Sequence, residues 1–227
     1  MKKTLQEVRD YIYEGVYDPG IFKAFFLAGG PGSGKTYVNQ RITPGLGLKN
    51  VNSDTAFENA LKRAGLSLDM PPSEEEKRDI VRARAKKLTT NQLSLYIRNK
   101  LGLVIDSTAR DYVKMEVAKA ALTRNGYESW CIFVNTSLDV ALARNAARDR
   151  TVPTDIVKKS HAEIQQNMGK LQRLFGSNNF IIVDNNKVAE DVNPAVHKAI
   201  RRMITKKPTS YQAVSWIKRE LQKRKRA

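Results

Sequence analysis

The sequence contains one cysteine and two histidines among its 227 residues. A single cysteine excludes a disulfide within the chain, and its scarcity predicts a reducing compartment such as the cytoplasm. No spacing of cysteine, histidine and aspartate is typical of a zinc site. Long apolar runs are also missing, since none approaches the ~20 residues that a membrane span needs. The N-terminus has two lysines without an apolar segment after them, so we expect no secretion signal.

Acidic residues are outnumbered by basic ones, 23 to 40, which gives a net charge of +17 and a pI near 10.0. The excess is concentrated in residues 195–227, which hold 11 Lys or Arg and one acid, Glu220. This balance predicts a polyanionic partner, first nucleic acid, with DNA favoured, and second an anionic membrane surface. A basic tail that only aids solubility is the alternative. The residues expected to contact nucleic acid are Lys218, Arg219, Lys223 and Arg224.

Five short apolar runs alternate with longer helical patterns, which is typical of βαβ units in a parallel sheet. The predicted strands are residues 23–28, 49–53, 103–105, 130–134 and 180–183. The pattern predicts an α/β fold with a doubly wound, five-stranded, mostly parallel sheet and helices on both faces. The predicted organisation is an N-terminal helical segment (1–22), a central domain (23–204) and a basic amphipathic C-terminal helix (205–227).

Local signals also predict where several helices begin and end. Ser73 before three glutamates has the pattern of a capping box that opens a helix to about residue 100. A later helix is expected to begin near Arg110, and another to run from Leu138 to Arg148. Thr154, just after Pro153, is expected to cap the helix that follows.

A glycine-rich turn lies between the first predicted strand and a predicted helix. It consists of Gly29, Gly30, Pro31, Gly32, Ser33, Gly34, Lys35 and Thr36. The spacing is that of the phosphate-binding loop of P-loop NTPases, in which backbone N–H groups and a helix N-terminus surround phosphate oxygens. Lys35 would neutralise the β- and γ-phosphates, and the Thr36 hydroxyl would bind Mg²⁺. The motif therefore predicts ATP and Mg²⁺ as ligands of a P-loop domain of the nucleotide-kinase kind.

Two carboxylates follow predicted strands at the edge where doubly wound sheets bind ligands. Asp54 follows the second strand, where it would act as a general base towards a hydroxyl or cap the next helix. Asp106 ends the third strand, where it would bind Mg²⁺ or cap the helix that begins near Arg110. The alternatives for Arg110 itself are a substrate contact and a surface salt bridge.

Three arginines precede a Thr-Val-Pro segment: Arg144, Arg148 and Arg150. Guanidinium groups can cancel the charge that a transferring phosphoryl group develops. Arg144 and Arg148 are one helical turn apart and are therefore expected to share a face. The cluster predicts an arginine lid, with Arg148 or Arg150 as its main member. Pairing of Asp149 with a neighbouring arginine is the alternative.

The order of these motifs resembles the kinase domain of phage-type polynucleotide 5′-kinases and also the zeta-toxin kinases, over about residues 23–185. The matching segments are GGPGSGKT, VNSD, GLVIDSTAR and RNAARDRTVP. The NSD element and the Arg–Val–Pro segment are similar to the polynucleotide kinases, whereas LVIDSTAR is similar to the zeta toxins. The resemblance implies that Asp54 is the catalytic base, that Lys35 and Thr36 keep their phosphate and metal roles, and that one lid arginine contacts the phosphoryl group.

The sequence departs from the polynucleotide kinases three residues after this aspartate. Their arginine, which holds the acceptor phosphate, is replaced by Phe57, so Lys62 or Arg63 would have to take its place. Related phage kinases phosphorylate a hydroxymethylated base within duplex DNA, and the basic charge suits that acceptor too. The favoured hypothesis is a kinase of a nucleic-acid hydroxyl, at a 5′ end or on a modified base. The alternatives are a zeta-toxin-like kinase of a nucleotide sugar or other small metabolite, and an ATP-switched nucleic-acid-binding protein.

Overall fold

A computed structural model describes residues 15–69, 71–148, 151–186 and 192–226. Most of the predicted N-terminal helical segment therefore lies outside the described residues, as does Arg150 of the predicted lid. The described end of that segment contains one turn of 3₁₀-helix, Gly15–Tyr17. A second 3₁₀ turn, Pro72–Glu74, and a third, Ser177–Asn179, lie between larger elements.

The centre of the fold is a five-stranded sheet in which every pair of neighbours is parallel. Its strands are β1 (Lys23–Ala28), β2 (Lys49–Val51), β3 (Leu103–Asp106), β4 (Glu128–Asn135) and β5 (Phe180–Asp184). The spatial order is β2-β3-β1-β4-β5, so the strand order reverses beside β1. This confirms the predicted doubly wound sheet, and a crevice is expected at the carboxyl end of β1.

Helices cover both faces of this sheet. They are α1 (Lys35–Ile42), α2 (Ser53–Arg63), α3 (Glu75–Arg98), α4 (Tyr112–Arg124), α5 (Leu138–Ala146), α6 (Thr154–Phe175), α7 (Val192–Thr205) and α8 (Tyr211–Arg226). The six residues of β1 are all buried, and the five that follow Lys23 alternate between two cores. Phe26 packs against Phe175 of α6, whereas Phe25 stacks on Trp130 on the other face. Burial on both faces explains why this strand is apolar throughout after Lys23.

Two predicted helix starts differ from the structure, and the first of them is wrong. The capping box at Ser73 does not form: α3 begins at Glu75 without a side-chain cap, and the Glu74 carboxylate accepts a hydrogen bond from the Ser67 N–H (2.9 Å). The two prolines before Ser73 fix the backbone and favour the 3₁₀ turn that takes its place. The helix expected near Arg110 begins two residues later.

Two further boundaries also differ from the prediction. Helix α5 ends at Ala146 rather than Arg148, so Arg148 lies beyond its C-cap, Ala147. Helix α6 begins at Thr154, but the cap position is Pro153 and no side chain makes a capping hydrogen bond. The ring of Pro153 fixes its φ and so ends the preceding loop. The start of α6 is therefore defined without a hydroxyl cap.

The C-terminal helix α8 is packed onto the amino-terminal edge of the sheet. Ser210 Oγ donates to the Gly126 carbonyl (2.7 Å) and accepts from the Ala213 N–H (3.3 Å), which caps the helix and joins it to the start of β4. Ala213 is fully buried, and the Trp216 ring meets the edge of Phe22, with ring centroids 5.7 Å apart. Among the described helices, none is both long and apolar enough to cross a membrane.

Candidate active site

A pocket of about 460 Å³ opens at the carboxyl ends of β1, β2 and β3. Its wall is formed by the glycine-rich loop after β1, the first turns of α2, Asp106 at the end of β3, and the segment around Arg148 after α5. The pocket therefore lies at the crevice that the strand order predicts. It brings together side chains that lie more than 100 residues apart in sequence.

Two glycines fix the shape of the loop. Gly32 and Gly34 have φ of 76° and 84°, a region that side-chain-bearing residues rarely adopt. A Cβ at Gly32 would lie 2.1 Å from the Ala141 carbonyl oxygen, and one at Gly34 would lie 2.3 Å from Asn185 Nδ2. The loop is thus in close contact with its supporting elements, and residues with a side chain are excluded at both positions.

The back of the loop is held by polar side chains outside the pocket. The Ser33 carbonyl accepts hydrogen bonds from Asn185 Nδ2 (2.7 Å) and Thr136 Oγ1 (3.1 Å). Arg144 Nη1 donates to the Asn185 carbonyl (2.7 Å), so this arginine supports the loop from behind and is not part of the pocket wall. Sequence reasoning placed Arg144 in the lid, and it did not identify the supporting roles of Asn185 and Thr136.

Lys35 and Asp106 form a poorly satisfied charge pair inside the pocket. The Lys35 ammonium donates to the Gly29 carbonyl (2.8 Å), and its Nζ lies 3.9 Å from Asp106 Oδ1. Burial lowers the pKa of Lys35 and raises the pKa of Asp106, and their mutual attraction offsets only part of either shift. The charged forms of both groups would gain from added phosphate and a divalent cation, as expected of a nucleotide site.

Asn52 connects the predicted catalytic base, Asp54, to the predicted metal ligand, Asp106. Its Oδ1 accepts from the backbone N–H groups of Asp54 (2.8 Å) and Thr55 (3.3 Å) and so caps α2, while its Nδ2 donates to Asp106 Oδ2 (2.8 Å). The capping alternative for Asp54 is therefore wrong, and Asp54 lies in the first turn of α2 on the pocket wall. Sequence reasoning missed Asn52, although an Asn two residues before Asp54 is a recognisable capping signal.

The capping alternative for Asp106 is also wrong. The cap of α4 is Asp111, whose carboxylate accepts from the Lys114 N–H (3.0 Å). Asp106 instead lines the pocket, beside the loop that contains Thr36. Among the described residues no cluster of three or more His, Cys, Asp or Glu could hold a metal by itself. Mg²⁺ in nucleotide sites takes few protein ligands and completes its shell with phosphate and water, so the two predicted ligands, Thr36 and Asp106, would be sufficient.

One of the two cations predicted to hold the acceptor is in the pocket wall. Lys62 lines the pocket, and Arg63 does not. Phe57, at the position of the expected arginine, is 2% exposed and packs with Leu61, and the Arg82 guanidinium lies 4.8 Å from its ring centroid. Phe57 is therefore part of a local core between α2 and α3 and not of the pocket.

Arg110 is outside the pocket wall. Its Nε lies 2.7 Å from Glu163 Oε2 of α6, with both side chains partly exposed. The surface salt bridge predicted as its alternative role is thus present. Such exposed pairs contribute little to stability, typically below ~1 kcal/mol.

Arg148 lines the pocket from a loop that is closed at its base. Asn145, almost fully buried, accepts from the Val152 N–H (3.0 Å) and donates to the Val152 carbonyl (2.7 Å), which brings the two ends of the loop together. Arg148 is exposed. It is close enough to the pair that its positive charge lowers the pKa of both Lys35 and Asp106, which disfavours the charged lysine and favours the charged aspartate. Because α5 ends before Arg148, the predicted shared helical face with Arg144 does not exist.

Comparison with known proteins identifies the family. A family model described as an AAA domain matches residues 25–171, which is more than half of the chain. The chain belongs to this AAA-domain family. The match begins in β1 and ends near the end of α6, so this AAA-domain chain has its pocket within the matched part, and α8 lies outside it. No curated protein matches the chain significantly.

Solved structures show the same fold at low identity. A protein from Chloroflexus aurantiacus J-10-fl, provisionally described as a kinase, is 19% identical over 81% of this chain and 97% of that chain, with a TM-score of 0.55. A chain of the Pnkp1/Rnl/Hen1 RNA repair complex is 21% identical over 66% of this chain and 46% of that chain, with a TM-score of 0.50. At these identities the likeness establishes a P-loop kinase-like fold.

Proposed function

We propose that this AAA-domain chain is an ATP-dependent kinase that transfers the γ-phosphoryl group to a hydroxyl of a nucleic acid, at a 5′ end or on a hydroxymethylated base in DNA. The observation that carries the proposal is the position of Asp54. Its carboxylate is on the wall of the pocket that contains Lys35 and Thr36, and its charge acts on Lys35 and Asp106. A carboxylate beside a phosphate-binding loop is the arrangement needed to activate an acceptor hydroxyl.

In the proposed reaction the loop amides and Lys35 hold the triphosphate of ATP while Asp54 orients the acceptor hydroxyl in line with the γ-phosphorus. A bond forms between the hydroxyl oxygen and the γ-phosphorus, and the bond from that phosphorus to the β–γ bridging oxygen breaks. The hydroxyl proton passes to Asp54, and ADP leaves with the bond's electron pair. Arg148, and Arg150 beyond the described residues, would cancel the charge on the transferring group.

Mg²⁺ is expected on the phosphates, where it would neutralise charge on the leaving group. The residues that would hold it are the Thr36 hydroxyl and Asp106. The chemistry of Asp106 fits this role, because burial raises its pKa and a bound divalent cation would favour its ionised form. The hydrogen bond from Asn52 holds one oxygen of the Asp106 carboxylate in place, so the other carboxylate oxygen is directed towards Lys35.

A nucleic-acid acceptor is supported by charge. The net charge of +17 favours a polyanionic substrate, and Lys62 places a cation on the acceptor side of the pocket. The chain of the RNA repair complex has the same fold as this protein. A shared fold does not by itself indicate a shared substrate.

A small-metabolite acceptor is the second candidate, and burial of Phe57 favours it. Because this side chain is 2% exposed, the position that would carry a phosphate-gripping arginine offers the pocket no group at all. The acceptor side then consists of Thr55, Glu58, Lys62 and Leu68, a mixed surface that suits a compact polar alcohol.

The test is transfer of labelled γ-phosphate from ATP to a panel of acceptors: 5′-hydroxyl DNA and RNA, hydroxymethyl-base duplex DNA, and nucleotide sugars. We expect a nucleic acid to be labelled and Asp54→Asn to lower the rate about 10²–10⁴-fold while ATP still binds. Asp139→Asn, an exposed aspartate in the first turn of α5, is the matched control and should leave the rate unchanged. Labelling of nucleotide sugars alone would favour the small-metabolite acceptor over the nucleic acid. An unchanged rate of phosphoryl transfer by Asp54→Asn would exclude this residue from the mechanism.

A further inference from the structure

A second concave surface lies at the opposite edge of the sheet from the candidate active site. It has a volume of about 630 Å³ and is formed where α8 crosses the ends of α3 and α4. We call it the tail groove and define it by six of its lining residues: Lys100, Arg124, Tyr211, Trp216, Lys218 and Arg219. The groove begins beside Phe22, just before β1, whereas the active site begins just after that strand. Strand β4 has eight residues, which at ~3.3 Å each separates the two edges by roughly 25 Å.

Four cations line the tail groove without an acidic partner in the part of the chain that is described. Lys218 and Arg219 are exposed on α8, and Arg124 is exposed at the end of α4. The other two basic residues predicted to bind nucleic acid are engaged within the chain. Lys223 pairs with Glu220 (2.7 Å), and the Arg224 guanidinium lies 5.2 Å from the centroid of the Tyr17 ring.

Lys100, the fourth cation, has an unusual backbone conformation. It follows α3 with φ of 61°, in the left-handed region where helices usually end in glycine. Its Nζ lies 5.7 Å from the centroid of the Phe22 ring, at the floor of the groove. A lysine here costs backbone strain that glycine would avoid, so the side chain is not explained by the turn itself.

Aromatic and apolar contacts separate two kinds of polyanionic partner. Tyr211 is 83% exposed at the mouth of the groove, a position suited to stacking on a nucleic-acid base. Several apolar positions of α8 are already used, since Ala213 is fully buried and Trp216 and Ile217 pack on the sheet-side core, whereas Val214 is 46% exposed. A basic helix binds a membrane through a continuous apolar face, whereas the exposed surface of α8 offers Val214 and Tyr211 among polar and basic side chains.

We propose that the tail groove binds single-stranded nucleic acid, with backbone phosphates on Lys100, Arg124, Lys218 and Arg219 and a base stacked on Tyr211. An exposed aromatic side chain favours a single strand, because the bases of a duplex are stacked on each other and not available. The proposal goes beyond the proposed function, since the groove would bind nucleic acid whether or not that molecule is phosphorylated. If both hold, the groove retains a long substrate while its reactive hydroxyl reaches the distant active site.

The experiment measures fluorescence anisotropy of a labelled 12-nucleotide single strand with the full-length protein. Lys218→Gln/Arg219→Gln should weaken binding at least tenfold and reduce the slope of log affinity against log salt by about 1.4. The matched control is Lys206→Gln/Lys207→Gln, which removes the same charge from exposed residues of the same tail outside the groove and should change affinity less than twofold. Equal losses in the two pairs would show diffuse charge rather than a site and would overturn the proposal.

Two single substitutions separate the groove from general effects on folding. Lys100→Gly relieves the left-handed strain, so we expect an unchanged or higher thermal midpoint together with weaker binding. Tyr211→Ala should weaken binding several-fold and Tyr211→Phe should restore it, because phenylalanine keeps the stacking face. Full binding by Lys100→Gly and Tyr211→Ala would contradict the proposed site.

Alternative partners are tested in parallel. Tighter binding of a 12-base-pair duplex would overturn the single-strand assignment, and binding of phosphatidylserine vesicles without binding of the oligonucleotide would overturn the proposal as a whole. The control variant Asp139→Asn, at an exposed position outside the groove, should bind the oligonucleotide as the wild type does. Binding at the groove without phosphoryl transfer to any acceptor would support the groove and refute the proposed function. Failure of the groove proposal and failure of the proposed function are therefore distinguishable.

Discussion

The two edges of the sheet each contain a lysine–carboxylate pair, and the pairs differ in how well they are satisfied. At the amino edge the fully buried Lys23 is hydrogen-bonded to Glu128, which also accepts from the N–H and hydroxyl of Thr209 (2.8 Å each). Burial alone would raise the pKa of Glu128, but the hydrogen bonds from Lys23 and Thr209 outweigh it and lower the pKa. At the carboxyl edge Lys35 and Asp106 lie 3.9 Å apart, and burial dominates the pKa of both.

The difference separates a structural pair from one arranged for a ligand. The Lys23–Glu128 pair is complete within the chain and joins the start of α8 to the sheet. In the Lys35–Asp106 pair, the cost of burying the two charges is not fully compensated by contacts within the protein. Such pairs are typical of functional sites, which often lower the stability of the fold. Substitutions at the two edges should therefore have effects of different kinds and of opposite sign on stability.

The largest expected effect is that of Lys35→Ala on catalysis. Loss of the ammonium should lower the rate of phosphoryl transfer about 10³-fold and weaken ATP binding, because no other described cation lies in the loop. Single-turnover kinetics and ATP titration measure both effects. Binding of single-stranded nucleic acid should be unchanged, and a parallel loss at the tail groove would contradict the separation of the two edges.

Arg148→Ala should lower kcat about 10²-fold with little change in thermal stability, because Arg148 faces the pocket and is exposed. Arg144→Ala, four residues earlier in α5, is the matched comparison. It removes the hydrogen bond to the Asn185 carbonyl, so we expect a lower thermal midpoint as well as lower activity. If Arg148→Ala changed the midpoint and left kcat intact, Arg148 would be structural and not part of the lid.

Glu128→Gln should reduce the free energy of unfolding by about 2 kcal/mol at pH 7, since Lys23 loses its charged partner and partial exposure of Glu128 limits the cost. The folded-state pKa of Glu128 is lowered, so its contribution exists above the ordinary carboxyl pKa of about 4.5 and is lost as pH falls through the lowered value. Urea unfolding of both proteins from pH 3 to pH 7 should show curves that converge in acid. A constant difference across this range would contradict the assignment.

Asp106→Asn should have the smallest effect on stability and the opposite sign, a small increase in the free energy of unfolding at neutral pH without nucleotide, because the amide removes a buried charge. The folded-state pKa of Asp106 is raised, so ionisation opposes folding and wild-type stability falls as pH rises through that value. The gain of the variant should therefore disappear in acid. The same variant should lose Mg²⁺-dependent transfer, and a destabilised variant at neutral pH would contradict the account of this edge.

The sheet could be predicted from the sequence because most strands are short apolar runs, and β1, β3 and β5 are ended by a glycine or a carboxylate. All five strands lie within a few residues of their predicted positions. Helix starts were less predictable where two capping signals compete. Ser73 was outweighed by the prolines before it, and Asp111 caps α4, which begins at Tyr112, two residues beyond the expected start.

The candidate site could be predicted in its motifs but not in its connections. Lys35, Asp54, Asp106 and Arg148 share one pocket, as the strand ends implied. The bonds of Asn52 to Asp106 and of Asn145 to Val152 join residues through side-chain amides, which leave no periodic signal in a sequence. The packing of α8 could not be predicted from the sequence either. An amphipathic pattern identifies the apolar face of a helix but not the surface against which that face packs.

The most direct test of the central claim is a crystal structure with Mg²⁺ and a non-hydrolysable ATP analogue. We expect the triphosphate to lie in the loop of residues 29–36, with the Lys35 ammonium moved from the Gly29 carbonyl to the phosphates and Asp54 facing the γ-phosphate. A triphosphate bound at any other surface, or one in the loop with Asp54 turned out of the pocket, would contradict the proposed catalytic edge.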